Sequence, residues 1–372
     1  MTAAPFLQRQ NKTIVHVVGA RPNFMKVAPV MEALQDDARL RQVLVNTGQH
    51  YDESMAGSFL KELQLPTPDY DLGVGSASHA VQTAKVMMAF EEVCVAERPD
   101  LVLVVGDVNS TMAATLVASK LNIRVAHVEA GLRSFDPEMP EEINRVVTDR
   151  LADILLTPSA DGDENLLKEG VPADRIHRVG NVMIDTLMRH LPMATLDRIA
   201  DRVAVKAGAY AVMTLHRPSN VDVPETFRSI LSAIAKIAED MPIVFSVHPR
   251  TQARVKEFGF GDQLKNVLMM PPLGYIDFLS LTSHAKIVLT DSGGLQEEST
   301  ALGIPCLTMR ENTERPVTVT HGTNTIVGTS TDRILAGYRA AMNGEVSKKR
   351  PELWDGKTAP RIAAVLQKYL FG

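Results

Sequence analysis

The sequence predicts an α/β protein made of two Rossmann-like, doubly wound domains. Two patterns carry that expectation. Short β-branched apolar runs alternate with helical stretches over most of the chain, and each run is apolar on both faces, as a strand buried in a parallel sheet must be. The alternation fades after residue 190 and restarts before residue 211, in a chain of 372 residues, long for a single core.

In the first domain, residues 1–190, strands are expected at Thr13 to Val18, Val43 to Val45, Leu101 to Val105, Arg124 to Val128 and Ile154 to Leu156. Helical patterns follow, for example from Ser110 to Leu121 and from Glu141 to Leu151. A short strand before Gly180-Asn181 and a helix to about His190 close the domain. The polar, weakly patterned stretch from Asp197 to Gly208 reads as the connection. In the second domain, residues 191–358, strands are expected at Ala211 to Leu215, Ile243 to Val247, Val267 to Met270 and Ile287 to Leu289. Helices are expected at Pro224 to Asp240, Tyr275 to Ala285 and Leu295 to Leu302. The last helix, Pro360 to Leu370, has Ile362, Val365, Leu366 and Tyr369 on one face, and segment 359–372 is expected to cross back onto the first domain.

Composition narrows the function classes. A hydrophobic content of 45% with 22% charged residues describes a soluble globular protein, and a net charge of −5 argues against a broad nucleic-acid surface. No segment approaches the roughly 20 apolar residues of a membrane span. The first ten residues lack a signal-peptide pattern, and Cys94 and Cys306 have neither metal-like nor disulfide-like spacing, so a reducing cytoplasm is expected. No H-E-x-x-H or G-x-G-x-x-G occurs, so neither a metal nor a dinucleotide cofactor is indicated.

The chemistry-bearing residues fall at expected strand ends, where open parallel sheets bind ligands. Gly19 to Lys26 closes the first strand and brings Arg21 and Lys26 to a helix start. Asp107 ends the third strand, where it can also cap a helix. Glu129 ends the fourth, among small and apolar residues that do not suit an exposed face. Pro140-Glu141-Glu142 opens a helix, a favourable N-terminus in its own right. Asp107, Glu129 and Glu141 are expected to converge and to raise one another's pKa, which suits acid–base work. His216-Arg217 ends the first strand of the second domain, with His248 a weaker counterpart, and His16, inside a strand, reads as a satisfied core residue. Ser292-Gly293-Gly294 sits between a strand and a helix, an arrangement that leaves N–H groups and the helix dipole facing an anion. Glu297 and Glu298 follow in the first turn, and Arg315 lies in a loop near the same sheet edge. Sites at strand ends of two domains imply a cleft with hinge closure.

These segments together resemble the non-hydrolysing UDP-N-acetylglucosamine 2-epimerases. The likeness runs from Gly19 to Gly328 through Thr47-Gly48-Gln49-His50, Gly106-Asp107, His127 to Arg133, Pro140 to Arg145, Gly180-Asn181, His216-Arg217, Asp291 to Glu298 and Thr313 to Pro316. It implies a GT-B-type fold, a UDP-sugar substrate, a homodimer and no cofactor. The implied mechanism eliminates UDP from C1 as the C2 proton leaves, and re-adds UDP after protonation on the other face. By motif match, Asp107, Glu129 and Glu141 do the acid–base work. Arg21, Lys26, His216 and Arg315 surround the diphosphate and sugar, with Arg145 and Arg217 also binding substrate; His216 belongs with the catalytic set. Ser292, Gly293 and Gly294 hold the diphosphate, Glu298 the ribose, and Phe278 lies beside the uracil. Two departures stand out. Asn23 replaces an acid found in many members, and Tyr51-Asp52 differs from the sequence of substrate-activated members, so their allosteric site is not expected in the same form. The Gln-His-Tyr-Asp type occurs in relatives acting on a diacetamido uronic acid. A glycosyltransferase on the same fold, or a non-catalytic nucleotide-sugar sensor, are the rival readings.

Overall fold

The structure, a computed structural model, describes residues 11–48, 66–347 and 349–372; Gln49 to Asp52 lie outside them. The chain divides into two compact units, Met1–Thr186 with Asp355–Gly372, and Leu187–Trp354.

The first unit is built on a seven-stranded parallel sheet, ordered β3-β2-β1-β4-β5-β6-β7. Its strands are β1 (Lys12–Val18), β2 (Leu40–Asn46), β3 (Tyr70–Asp71), β4 (Leu101–Val105), β5 (Arg124–Val128), β6 (Ile154–Thr157) and β7 (Ile176–Arg178). All of β4 and β6 is buried, which explains their uninterrupted apolar sequences. Helices α1 (Arg21–Leu34), α2 (His79–Glu97), α3 (Asn109–Lys120), α4 (Pro140–Leu151), α5 (Ala160–Lys168) and α6 (Val182–His190) connect them, and the division between units falls inside α6.

The second unit has a six-stranded parallel sheet, β10-β9-β8-β11-β12-β13. Its strands are β8 (Ala211–Met213), β9 (Ile243–Ser246), β10 (Val267–Met270), β11 (Ile287–Thr290), β12 (Cys306–Thr308) and β13 (Asn324–Ile326). Its helices are α7 (Pro218–Val221), α8 (Pro224–Asp240), α9 (Pro249–Glu257), α10 (Tyr275–Ser283), α11 (Gly293–Leu302), α12 (Val317–Thr320) and α13 (Thr331–Met342). The strand order reverses between β1 and β4 in one sheet and between β8 and β11 in the other, and loops at such a reversal diverge to leave a crevice.

The final helix, α14 (Thr358–Phe371), belongs to the first unit. Asp185 accepts the N–H groups of Thr358 (3.0 Å) and Ala359 (2.8 Å), satisfying its first turn. At its far end Arg39 lies 4.0 Å above the Phe371 ring and Arg124 4.7 Å above that of Tyr369.

Two readings of the sequence are corrected. Asp197 to Gly208, read as the connection, lies within the second unit, where Ile199 and Val203 are buried in one cluster with Tyr210, Val212 and Val244. His16 is buried, yet neither ring nitrogen has a hydrogen-bond partner, so it is not a satisfied core residue.

Candidate active site

In the first unit three adjacent strands, β1, β4 and β5, end together. After β1 the chain turns at Gly19, where a Cβ would lie 2.4 Å from Ser110 Oγ and 2.7 Å from Thr47 Oγ1. Asn23 fastens this turn by accepting the N–H groups of Gly19 (3.2 Å) and Ala20 (2.9 Å) and donating to the Val105 carbonyl (3.1 Å). The residue that stands in place of an acid is thus a buried bolt between the β1 and β4 loops. Arg21 is the first, half-buried residue of α1. Lys26 is buried on the same helix and forms an ion pair with Glu129.

Glu129 is unusual in its backbone. It has φ = +74°, a region that side chains other than Gly, Asn and Asp seldom occupy, and it is buried. Holding Glu there costs on the order of 1 kcal/mol or more, which the surrounding bonds must offset. The N–H groups of Glu129 (3.0 Å) and Ala130 (3.1 Å) both donate to the Leu156 carbonyl.

Asp107 does not cap α3; the cap position is Val108. Its carboxylate instead pairs with the buried Arg145 of α4 at 2.5 Å. Arg145 also pairs with Glu142, which accepts from the N–H and hydroxyl of Ser134 and the N–H of Phe135. Burial alone would raise the pKa of Glu142, but the Ser134 bonds and the Arg145 charge hold it below the usual carboxylate range. Glu141 lies exposed on the first turn of α4. In place of one carboxylate trio, Glu129 pairs with Lys26, Asp107 and Glu142 share Arg145, and Glu141 faces solvent. Glu142 and Arg145, three residues apart on α4, share one buried face, while Glu141 is turned to solvent.

In the second unit, β8, β11 and β12 end together. Asp291, fully buried after β11, is the hub. It accepts the N–H groups of His216 (3.0 Å) and Arg217 (2.8 Å), His216 Nδ1 (2.9 Å) and Asn220 Nδ2 (3.2 Å). Burial pushes its pKa up, but the His216 bond and charge outweigh this and keep it below the usual range. The His216 side chain stays 44% exposed, so it is anchored on one side and open on the other. The His248 ring lies 6.1 Å away, and burial with the nearby His216 lowers its pKa.

Ser292 is the cap residue of α11 and makes no side-chain capping bond. Gly293 is required by packing, since a Cβ would fall 2.5 Å from Arg315 Nη1 and 2.8 Å from Glu314 Oε1. A Cβ on Gly294 would meet nothing within 4 Å. A buried ion cluster lies behind this helix start: Arg315 with Glu297 (2.7 Å) and Glu314 (2.6 Å), Arg310 with Glu314 (2.9 Å), and Arg217 with Glu314 (3.4 Å). Burial of Glu314 is outweighed by the three guanidinium groups, which hold its carboxyl far below the usual range. Glu298 differs: burial pushes its pKa up to about 7, although the Tyr275 hydroxyl donates to it at 3.0 Å. Phe278 is half-buried against the cluster of Val288, Leu295, Ile304 and Cys306.

A cation-lined helix start with open space at Gly294 suits a diphosphate, and a strained, buried carboxylate suits proton transfer. The comparisons with known proteins agree with this chemistry. Residues 32–367 match the family described as UDP-N-acetylglucosamine 2-epimerase. The chain belongs to the UDP-N-acetylglucosamine 2-epimerase family. It is 42% identical over 358 residues to the UDP-N-acetylglucosamine 2-epimerase of Methanocaldococcus jannaschii, covering 94% of this chain and 97% of that one. The crystal structure of the M. jannaschii protein with UDP-GlcNAc and UDP aligns with a TM-score of 0.88 at 41% identity, over 96% of this chain and 99% of that one. A UDP-2,3-diacetamido-2,3-dideoxy-D-glucuronate 2-epimerase of Pseudomonas aeruginosa is 37% identical over 358 residues, covering 95% and 99%.

Membership in this epimerase family accounts for the GT-B type of two parallel-sheet units. Sequence reasoning left three parts of the site without a role: Asp291 as hub, Glu314 as the centre of the ion cluster, and Glu142. Only Asp291 carried a usable signal, an acid directly after an apolar strand. Among the described residues no helix is long and apolar enough to cross a membrane.

Proposed function

We propose that this enzyme interconverts UDP-N-acetylglucosamine and UDP-N-acetylmannosamine by inverting C2. A base removes the C2 proton while the C1–O bond to UDP breaks, its electrons leaving with UDP as the C–H pair forms the C1=C2 bond of a 2-acetamidoglucal. UDP re-adds to C1 as a proton is delivered to the opposite face of C2, so atoms and electrons balance without a redox partner. Asp107 and Glu129 are the proton-handling groups in this scheme, and Glu141 joins them from the exposed first turn of α4. Lys26, paired with Glu129, holds that carboxylate in place rather than serving chiefly as a diphosphate cation. His216, Arg217, Arg315 and the Ser292–Gly294 backbone take the diphosphate, with Arg21 and Arg145 beside the sugar. Glu298 takes the ribose hydroxyls and Phe278 the uracil.

The observation that carries the reading is Glu129: a buried carboxylate in the left-handed region, beside a buried lysine, in a chain of this family. Incubation with UDP-N-acetylglucosamine in deuterated water, followed by NMR, should give deuterium at C2 and a gluco/manno mixture. Unlabelled, unchanged substrate sinks the reading for that sugar, and transfer to an acceptor would mark a glycosyltransferase.

A second substrate, the diacetamido uronic acid analogue, is favoured by the 37% identity to the P. aeruginosa enzyme, and the same assay with that sugar separates the two. The product feeds surface polysaccharide, made in the cytoplasm. A homodimer is supported by Val81, Met88 and Val95, exposed apolar residues one heptad apart on α2, and a sedimentation mass near 40.6 kDa would refute it.

A further inference from the structure

Behind the Asp107 and Glu129 loops lies a buried group of charges that the scheme above does not use. Asp149, on α4 one turn beyond Arg145, receives three hydrogen bonds. They come from His127 Nδ1 (2.6 Å), the Gly131 N–H (3.0 Å) and Arg133 Nη1 (2.7 Å). His127 Nε2 meets the carbonyl oxygen of Gly106 at 2.8 Å, directly before Asp107. Arg133 continues to Glu169 through two bonds of 2.7 Å each. His127 and Asp149 are almost wholly buried.

The chemistry of these partners fixes the protons. A carbonyl oxygen only accepts, so His127 Nε2 must carry a hydrogen. Asp149 also receives an arginine N–H and a backbone N–H, both on Oδ2, which suits an ionised carboxylate. Burial works against ionisation of Asp149, but the charges and bonds of His127 and Arg133 hold its pKa below the usual range. Arg133 and Asp149 are a buried cation–anion pair, and Arg133 reaches out to Glu169, whose side chain is 38% exposed.

We propose that His127 and Asp149 are positioning residues that lock the two proton-handling loops to one helix. Asp149 grips the turn after Glu129 through Gly131, and His127 grips the backbone before Asp107 through Gly106. Arg145, four residues earlier on α4, grips the Asp107 side chain itself. One turn of α4 thereby sets the separation of Asp107 and Glu129. Gly131 itself packs against α5, where a Cβ would lie 2.4 Å from the Gly162 carbonyl oxygen, so this turn has little room to shift. The inference rests on the proposed acid–base roles of those two carboxylates.

The test has two arms. In wild-type protein carrying ¹⁵N-labelled histidine, His127 Nε2 should carry the hydrogen that it donates to the Gly106 carbonyl; a bare Nε2 overturns the proposal. In Asp149→Asn, kcat and C2 deuterium incorporation should fall at least tenfold while KM and the UDP dissociation constant stay within about threefold. Unchanged kcat, or equal losses in kcat and UDP binding, would also overturn it. If Asp149→Asn fails to fold, His127→Gln carries the same kinetic test, because one amide cannot bridge Asp149 and the Gly106 carbonyl as the ring does. Wild-type protein inactive on both UDP-sugars would refute the function reading instead, and the ring measurement would still stand.

Discussion

Lowering the pH from 7 to 4 asks the His16 ring to take up a proton in the middle of a parallel sheet. His16 is completely buried in β1, in register with Leu44 on one side and Leu103 on the other. Gln42, the polar side chain nearest in kind, donates its amide to the Met31 carbonyl at 3.0 Å. Burial lowers the pKa of His16 from 6.5 to about 4, with a smaller opposing effect from Gln42. In the unfolded chain the ring titrates near its ordinary 6.5. Between those values the unfolded state binds more protons, so stability from this residue is intact above pH ~6.5, falls as the pH drops, and levels off below ~4. A gap of about 2.5 at roughly 1.4 kcal/mol per unit predicts a loss of about 3 kcal/mol. Urea unfolding at pH 7, 6, 5 and 4 measures it, with His16→Leu as the reference that cancels the carboxylates titrating in the same range. The variant should be at least as stable as wild type at pH 7, since it removes two buried nitrogens without partners. Its advantage should grow by about 3 kcal/mol toward pH 4. An advantage constant within ~0.5 kcal/mol across the range would refute the reasoning.

Other outcomes follow from the site. Gly294→Ala should leave the melting temperature unchanged or slightly raised, because its Cβ enters open space and Gly-to-Ala favours a helix by about 0.5–1 kcal/mol; calorimetric UDP affinity should nonetheless fall at least tenfold. Gly293→Ala should lose both, since its Cβ meets Arg315 and Glu314; a wild-type melting temperature would count against that packing. Glu129→Gln should keep UDP affinity within several-fold and lose most turnover in the deuterium assay, and surviving turnover would make Glu129 structural. Glu298 binds ribose hydroxyls best when ionised, so UDP affinity should weaken as the pH falls below about 7. Tyr275→Phe removes a bond that favours the ionised form and should shift that weakening to higher pH.

The parallel strands were legible because burial on both faces writes an unbroken apolar run, as in Leu101–Val105. The phosphate-type helix start was legible for a different reason: Ser292-Gly293-Gly294 directly follows the apolar β11. Residues whose meaning depends on rotation were harder. Glu141 and Glu142 are adjacent acids four and three residues before Arg145 on the same helix, and only the packing of α4 decides which of them is buried with it. Lys26 reads as a free cation until α1 packs beside Glu129. Helix α2 went unread because Val81, Met88 and Val95 put apolar residues on its exposed side and blur its period. Strand β13 is three residues, Asn-Thr-Ile, too short and too polar to announce itself.

The left-handed backbone at Glu129 carries a warning for anyone engineering this scaffold. Glycine fits that conformation better than glutamate by about 1 kcal/mol, so a purely thermal selection would favour Glu129→Gly. The stranded Lys26 charge would block that step alone, but Lys26→Met supplies the escape. Heat challenge without a turnover filter would thus drift toward a sturdier, inert protein, erasing the two side chains that the fold goes furthest out of its way to hold.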